Sequence, residues 1–274
     1  MNKNKILLGH NGLKWILLTT AFTSGVSYGS TLTPVTIYGD DSYAPYSYNS
    51  FGQAKGIYVD ILKMVFEKMP DYNVTIKLVP WKRGLKMLEV GQAFALFPPY
   101  YYDDKRFYIS PYSKPILKEE VTVYCNKAIA HNSNSNWPSD YLGLTVGINE
   151  SFSLGGREFW IAARRGDITV KEAKGNQANI INLYNKQTAC YMNDRLSILW
   201  EIKQLTQTGM ISPDWEVTSG PVISGEYGYL GFTNVGIENF PYKKAFITQF
   251  NQQLEQVKQS GKIEAIIKRY SIEK

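Results

Sequence analysis

Histidine and cysteine are almost missing from this 274-residue chain, with two of each. His10 lies in the N-terminal segment, and His131 in the polar stretch His131-Asn132-Ser133-Asn134-Ser135-Asn136, which reads as an exposed loop. Metal or histidine-based catalysis would need several ligands or a general base that this composition does not supply. CxxC, HExxH, GxxxxGK and GxGxxG motifs are also lacking, so no metal and no cofactor is expected. The one GxSxG match, Gly25-Val26-Ser27-Tyr28-Gly29, falls in a segment expected to be removed. Beyond residue 30 no apolar run approaches the ~18–20 residues that cross a bilayer. What is present is a folding composition, 44% hydrophobic and 20% charged, which excludes disorder, collagen and coiled coil. The net charge of +6 includes Lys3, Lys5 and Lys14, and without them 27 basic side chains face 24 acidic ones. Charges so interspersed lack the clustered basic footprint of a nucleic-acid binder, so no nucleic-acid partner is expected.

Met1 to Lys14 is polar and positive, and Trp15 to Val26 is a short apolar stretch rich in small residues. That is the pattern of a secretory leader over residues 1–29, with cleavage before Ser30; an uncleaved anchor is the alternative. No cysteine stands at the cleavage point to take a lipid, so the mature chain is expected to be free in a Gram-negative periplasm. In that oxidising compartment Cys125 and Cys190 either pair or remain two buried thiols, and both sit in strand-like runs.

Strand patterns alternate with helical ones along the chain, as in α/β architecture with mainly parallel sheets. Strands are predicted at 35–38, 74–79, 93–97, 120–125, 144–148, 168–172, 188–192 and 215–218, with residues 227–233 extended. Tyr58, Ile61, Leu62, Val65, Phe66 and Met69 fall at helical spacing ahead of Pro70. Further helices are predicted at 82–90, 157–164, 178–185, 195–205, 242–259 and 263–270. Two such α/β sets joined by extended crossings suggest two lobes around a cleft.

Four stretches then carry a resemblance. They are Gly39-Asp40-Asp41-Ser42-Tyr43-Ala44-Pro45-Tyr46; Gly56-Ile57-Tyr58-Val59-Asp60-Ile61; Asp103-Asp104-Lys105-Arg106 with Ile109-Ser110-Pro111-Tyr112; and Gly261-Lys262-Ile263 with Ile267-Lys268-Arg269-Tyr270. In their order and spacing the chain resembles a type II periplasmic solute-binding protein of the polar amino acid class, family 3, over nearly all of residues 33–272. The resemblance implies a two-lobed α/β fold with two hinge crossings: lobe 1 from residues 30–115 and 234–274, lobe 2 from 116–233. It also sets the crossing segment 120–125 beside strand 188–192, so that Cys125 and Cys190 face each other and form a disulfide if the register holds.

A zwitterionic solute needs a planar cation for its carboxylate, an acceptor for its ammonium and an apolar wall. The resemblance assigns the cation to Arg106, otherwise a surface arginine in a charged turn. It gives the ammonium to Asp194, otherwise the N-cap of the helix starting at Arg195. Asp40 matches an acid near the ligand's side chain, or is an Asx-turn residue. Tyr43 and Trp81 match flanking aromatics, and Trp81 otherwise packs on Leu85 and Leu88. Ser151 and Ser153, with Phe152 between them, precede a helix N-terminus and offer backbone N–H groups, or form an ordinary cap. Arg83 adds a second cation or solvates its helix. One departure stands out: where the family carries small hydroxyl and glycine residues, this chain has Phe97-Pro98-Pro99-Tyr100-Tyr101-Tyr102. With Tyr101 among its three tyrosines, the run makes a smaller polar, aromatic or amine-bearing ligand stacked by tyrosines as fitting an expectation as an ordinary α-amino acid. The expected function is capture of a small-molecule solute by a monomer that hands it to an inner-membrane ABC permease or a membrane receptor. The rivals are an exported cyclohexadienyl dehydratase-like enzyme on the same scaffold and a periplasmic sensor module.

Overall fold

The computed structural model describes Met1 and residues 31–102, 105–127 and 136–270. The expected leader, the Asn/Ser stretch at 131–135 and Asp103 and Asp104 lie outside these residues. Strand β1 (Thr33–Asp40) runs into a small antiparallel sheet of β2 (Ser42–Tyr43), β3 (Ser47–Ser50) and β4 (Gln53–Lys55). Helix α1 (Ile57–Phe66) follows, then β5 (Tyr72–Val79), α2 (Trp81–Glu89), β6 (Ala95–Phe97) and β7 (Ile109–Tyr112). The second half holds β8 (Leu117–Asn126), β9 (Thr145–Asn149), α3 (Gly156–Arg165), β10 (Thr169–Ala173), α4 (Gly175–Tyr184), β11 (Cys190–Asp194), α5 (Arg195–Gln207) and β12 (Val217–Gly228). Strand β13 (Gly231–Thr233), α6 (Lys243–Gln259) and α7 (Lys262–Tyr270) close the chain.

These elements make two lobes, each built on a five-stranded sheet. The first sheet has the order β5-β1-β6-β13-β7 and the second β10-β9-β11-β8-β12. The chain passes from the first to the second between Tyr112 and Leu117 and returns between Gly228 and Gly231. Residues 231–233 therefore pair within the first sheet, not with the second lobe as the sequence suggested. The sheets are also mixed where mainly parallel ones were expected. β1 is parallel to β5 and β6, and β9 to β10 and β11, but β7, β8, β12 and β13 all pair antiparallel. The antiparallel strands are those that carry the chain across, and no helical crossover intervenes to make them parallel.

In the first lobe α1 turns Ile57, Ile61, Leu62 and Val65 inward to meet Phe246, Phe250 and Leu254 of α6, with Phe94 and Phe232 in the same cluster. In the second, Val121, Val123, Val146 and Ile148 pack beneath Phe159 of α3. Cys125 lies opposite Cys190 in the antiparallel register of β8 and β11, and the two are joined in a disulfide.

Candidate functional site

The first sheet ends, at the carboxyl edge of β1 and β5, in groups that face the other lobe. Asp40 is the last residue of β1, and Tyr43 stands in the short β2 behind it. Pro80 stops β5 and gives way to Trp81, the first residue of α2. Such an edge is where α/β sheets place their ligands. The second lobe supplies the loop after β9, where Phe152, Ser153 and Leu154 close the cleft from the other side. Between them is a cavity of about 20 Å³, room for one water molecule. The Phe152 ring forms part of the cavity wall, meeting Tyr43 at 5.5 Å and Trp81 at 5.9 Å between ring centroids, edge to face in both cases.

Arg106 enters this cavity from the turn ahead of β7, where its amide bonds the Tyr102 carbonyl at 3.2 Å and its carbonyl receives the Ile109 amide at 2.8 Å. Only 6% of the residue is exposed. Its guanidinium lies 5.5 Å from the Trp81 ring and 5.0 Å from the Tyr102 ring. Of its five N–H donors, Nη2 bonds the Ser151 carbonyl at 3.4 Å, its one side-chain hydrogen bond among the described residues. No carboxylate among the described residues pairs with it. Burial accordingly lowers its pKa. Beside it, Trp81 keeps a buried indole N–H without a hydrogen-bond partner. The Tyr102 hydroxyl donates to the Ser153 carbonyl at 2.9 Å and ties the turn to the second lobe.

The acids around the cleft are in a different condition. Asp40 accepts the Ser42 amide at 2.9 Å, and burial pushes its carboxyl up to about 7. Asp194 caps α5 through the Ser197 amide at 2.9 Å and receives the Glu120 amide at 3.1 Å. The Tyr46 hydroxyl and the Leu196 amide also bond it, and burial still raises it to about 6. Glu119, on β8 where the chain has just crossed, takes three tyrosine hydroxyls. Tyr58 donates to Oε1, and Tyr43 and Tyr100 donate to Oε2, the latter at 2.6 Å. Burial, reinforced by Asp194, raises the Glu119 carboxyl to about 8 against those bonds. The lobes also meet at the Ala44 carbonyl, which accepts from Asn176 Nδ2 at 2.8 Å and from Ser197 Oγ at 3.1 Å.

A buried cation between aromatic faces, in a cleft between two sheets linked by paired crossings, agrees with a sequence match to the family of bacterial extracellular solute-binding proteins, family 3, over residues 35–273. The chain belongs to that family. No curated protein matches this family 3 chain. Solved structures match its fold at low identity. One, from work on glutathione import in Gram-positive bacteria via GshT and the cystine ABC importer TcyBC of Streptococcus mutans, has a TM-score of 0.70 at 16% identity and covers 88% of this chain and 95% of its own. The arginine-, lysine-, histidine-binding protein ArtJ of Geobacillus stearothermophilus gives 0.66 at 16%, over 88% and 96%. An ancestral amino acid-binding protein, AncCDT-1, a precursor of cyclohexadienyl dehydratase, gives 0.66 at 14%, over 86% and 94%. Family 3 proteins are extracellular by description, and among the described residues no helix here is long and apolar enough to cross a membrane.

In this family 3 chain the structure brings Asp40, Tyr43, Trp81, Arg106 and Ser153 to one cavity, and Ser151 reaches it through its carbonyl. Three expected residues stand elsewhere. Arg83 is exposed on α2, because only Trp81, Gly84, Leu85 and Leu88 of that helix turn inward. Tyr101 is 55% exposed and packs on Tyr112 at 4.9 Å, while its neighbours Tyr100 and Tyr102 face the cleft. Asp194 does not line the cavity; its oxygens serve the α5 cap and the crossing strand. Glu119 was missed, although a signal for it existed. Extending the strand at 120–125 by one residue puts Glu119 on the inward face of Val121 and Val123, between outward Lys118 and Glu120.

Proposed function

We propose that this chain is an exported binding protein that captures a small carboxylate-bearing solute between its lobes and presents it to a membrane importer or receptor. The observation that carries the reading is Arg106. A guanidinium held out of water with no carboxylate paired to it among the described residues is costly, and an anion arriving in the cleft offsets that cost through a bidentate bond. The unpartnered Trp81 N–H offers a further donor in the same wall. Tyr43, Trp81 and Phe152 supply apolar faces for the rest of the solute, which is admitted when the lobes part and the Phe152 ring turns aside. Amino acid-binding proteins of similar fold support a solute of this size. A monomer working from the periplasm suits such a carrier. Against an enzyme reading, Glu119 has both oxygens bonded by tyrosines, which leaves Asp40 as a lone acid in the cavity wall without an acid/base partner among the described lining residues.

Isothermal titration of a panel of amino acids and organic acids tests the proposal. A member of the panel is expected to bind near micromolar, about −8 kcal/mol. Arg106→Ala is expected to abolish that binding in a folded protein, and Arg106→Lys to recover little of it for want of the planar fork. Affinity unchanged in both variants refutes the assignment.

A further inference from the structure

Away from Arg106, the first lobe meets the second along residues 41–46. The Asp41 carboxylate stands 3.8 Å from the Lys174 ammonium. Ser42 lies so close to Gly175 that a β-carbon added there would come within 2.7 Å of the Ser42 β-carbon, and the φ of +70° at Gly175 disfavours other residues as well. The Ala44 carbonyl accepts from Asn176 and Ser197, and the Tyr46 hydroxyl bonds Asp194. Asn176 stands in the first turn of α4 and Ser197 in the first turn of α5, so the segment seats across the N-terminal ends of two helices of the second lobe.

The protons at this contact balance. Asn176 Oδ1 accepts from Asn149 Nδ2 and Asn193 Nδ2, each at 2.9 Å, which turns its own Nδ2 toward the first lobe. One Nδ2 hydrogen goes to the Ala44 carbonyl and the other to Ser197 Oγ at 2.5 Å, and the Ser197 hydroxyl donates to the same carbonyl. Asn176 is 1% exposed and Ser197 fully buried, and neither lines the cavity that holds Arg106. Parting the lobes takes the carbonyl from both donors at once.

Resting on the reading above that the lobes part to admit a solute, we propose that Asn176 is a positioning residue for binding. Through the Ala44 carbonyl, and with Ser197, it sets the balance between closed and parted lobes without touching the solute. A solute held between closed lobes escapes only when they part, so this balance scales affinity for every solute alike, while Arg106 decides which solute is gripped.

Nitroxides on Arg83→Cys in α2 and Arg157→Cys in α3, both exposed and on opposite lobes, report the separation of the lobes by double electron-electron resonance with no solute added. Asn176→Ala is expected to lower the ratio of near to far separations about fivefold, the worth of one net neutral hydrogen bond. Ser197→Ala removes the other donor, keeps the backbone amide that Asp194 caps, and is expected to match that shift within about twofold. Urea unfolding of the same proteins separates the two roles Asn176 could have. A variant that loses stability while the folded protein keeps the wild-type distances makes Asn176 a structural residue of the second lobe alone and overturns the proposal. A shift in Asn176→Ala with none in Ser197→Ala overturns the shared role of the Ala44 carbonyl, and if Asn176→Ala does not fold, Ser197→Ala decides alone. Because no solute enters the measurement, a failed titration of Arg106 variants leaves this result standing, and unchanged distances here leave the Arg106 assignment untouched.

Discussion

Replacing Glu119 with glutamine should reverse its effect on stability between pH 5 and pH 8. The Glu119 carboxyl is raised from its ordinary 4.5 to about 8, first by burial and then by Asp194. A group raised in the folded state stabilises fully below its unfolded value, and that contribution is lost as pH climbs through the folded one. Between pH 5 and pH 8 the wild-type protein should therefore lose on the order of 3 kcal/mol through this group, a net effect in which the three tyrosine bonds already oppose burial. The tyrosines stay protonated across this range, since burial pushes Tyr43, Tyr58 and Tyr100 well above their ordinary value. Glutamine keeps the shape and one acceptor oxygen, but its amide nitrogen turns a donor toward a hydroxyl that was donating, which costs about 1 kcal/mol. Glu119→Gln is thus expected to be slightly less stable than wild type at pH 5 and more stable by about 2 kcal/mol at pH 8. Urea unfolding followed by tryptophan fluorescence at pH 5, 6, 7 and 8 measures the difference, provided the slope with urea is the same in both proteins. A difference that does not change with pH refutes the account of Glu119 as a buried acid poised near neutrality.

Tyr43→Phe keeps the ring that faces the cavity and removes the hydroxyl that meets Glu119; it is expected to cost about 1–3 kcal/mol in urea unfolding while ligand affinity holds within about threefold. A methyl group at Gly228 would collide with the Tyr58 hydroxyl. Gly228→Ala should therefore lower stability by about 1–3 kcal/mol, and pairing it with Tyr58→Phe should relieve part of that loss in a double-mutant cycle. The Cys125–Cys190 bond spans a sequence separation of 65. Reducing it should cost on the order of 4 kcal/mol, and alkylation without reduction followed by mass spectrometry should find no free thiol in protein taken from the periplasm.

The helices were legible because their apolar faces are long and regular. Tyr58, Ile61, Leu62, Val65 and Phe66 announce α1 by spacing alone, and all five are buried. Met69 fits the same spacing but lies past the end of α1, and is buried by the turn that follows. Short strands left no such trace. β2, β3 and β4 have two to four residues each, the first two written in serine, tyrosine and asparagine and the third Gln-Ala-Lys, without an alternating apolar pattern to mark them as strands. β12 was seen only at its two ends, in the strand at 215–218 and the extended residues from 227, because Gly220, Pro221 and Gly225 punctuate it. They are tolerated since the strand lies at the sheet edge and its register slips between Ser219 and Ser224. The cleft residues were found through the resemblance and not through periodicity, for Asp40, Trp81 and Arg106 come together only when the strand order is known. Asp194 shows the limit of that route. Sequence offered it two roles, and which one its oxygens serve depends on Tyr46 and Glu120, whose proximity is set by packing.

Tyr43 and Tyr100 tie the two halves of this chemistry together. Each turns a ring toward the cavity and a hydroxyl toward Glu119, so one face is apolar wall and the other is donor to a buried acid. Glu119 stands on β8, two residues into the second sheet, while Tyr43 and Tyr58 belong to the first lobe. The cluster therefore spans the crossing point at which the lobes would part. Opening the lobes by rotation near residues 113–118 need not break these bonds, because their partners lie close to the axis of such a motion. The contacts far from that axis, between Phe152 and Trp81 and between Tyr102 and Ser153, must be released. The Arg106 bond to the Ser151 carbonyl and the Lys82–Glu150 ion pair also cross the cleft, so opening exchanges polar contacts as well as ring contacts.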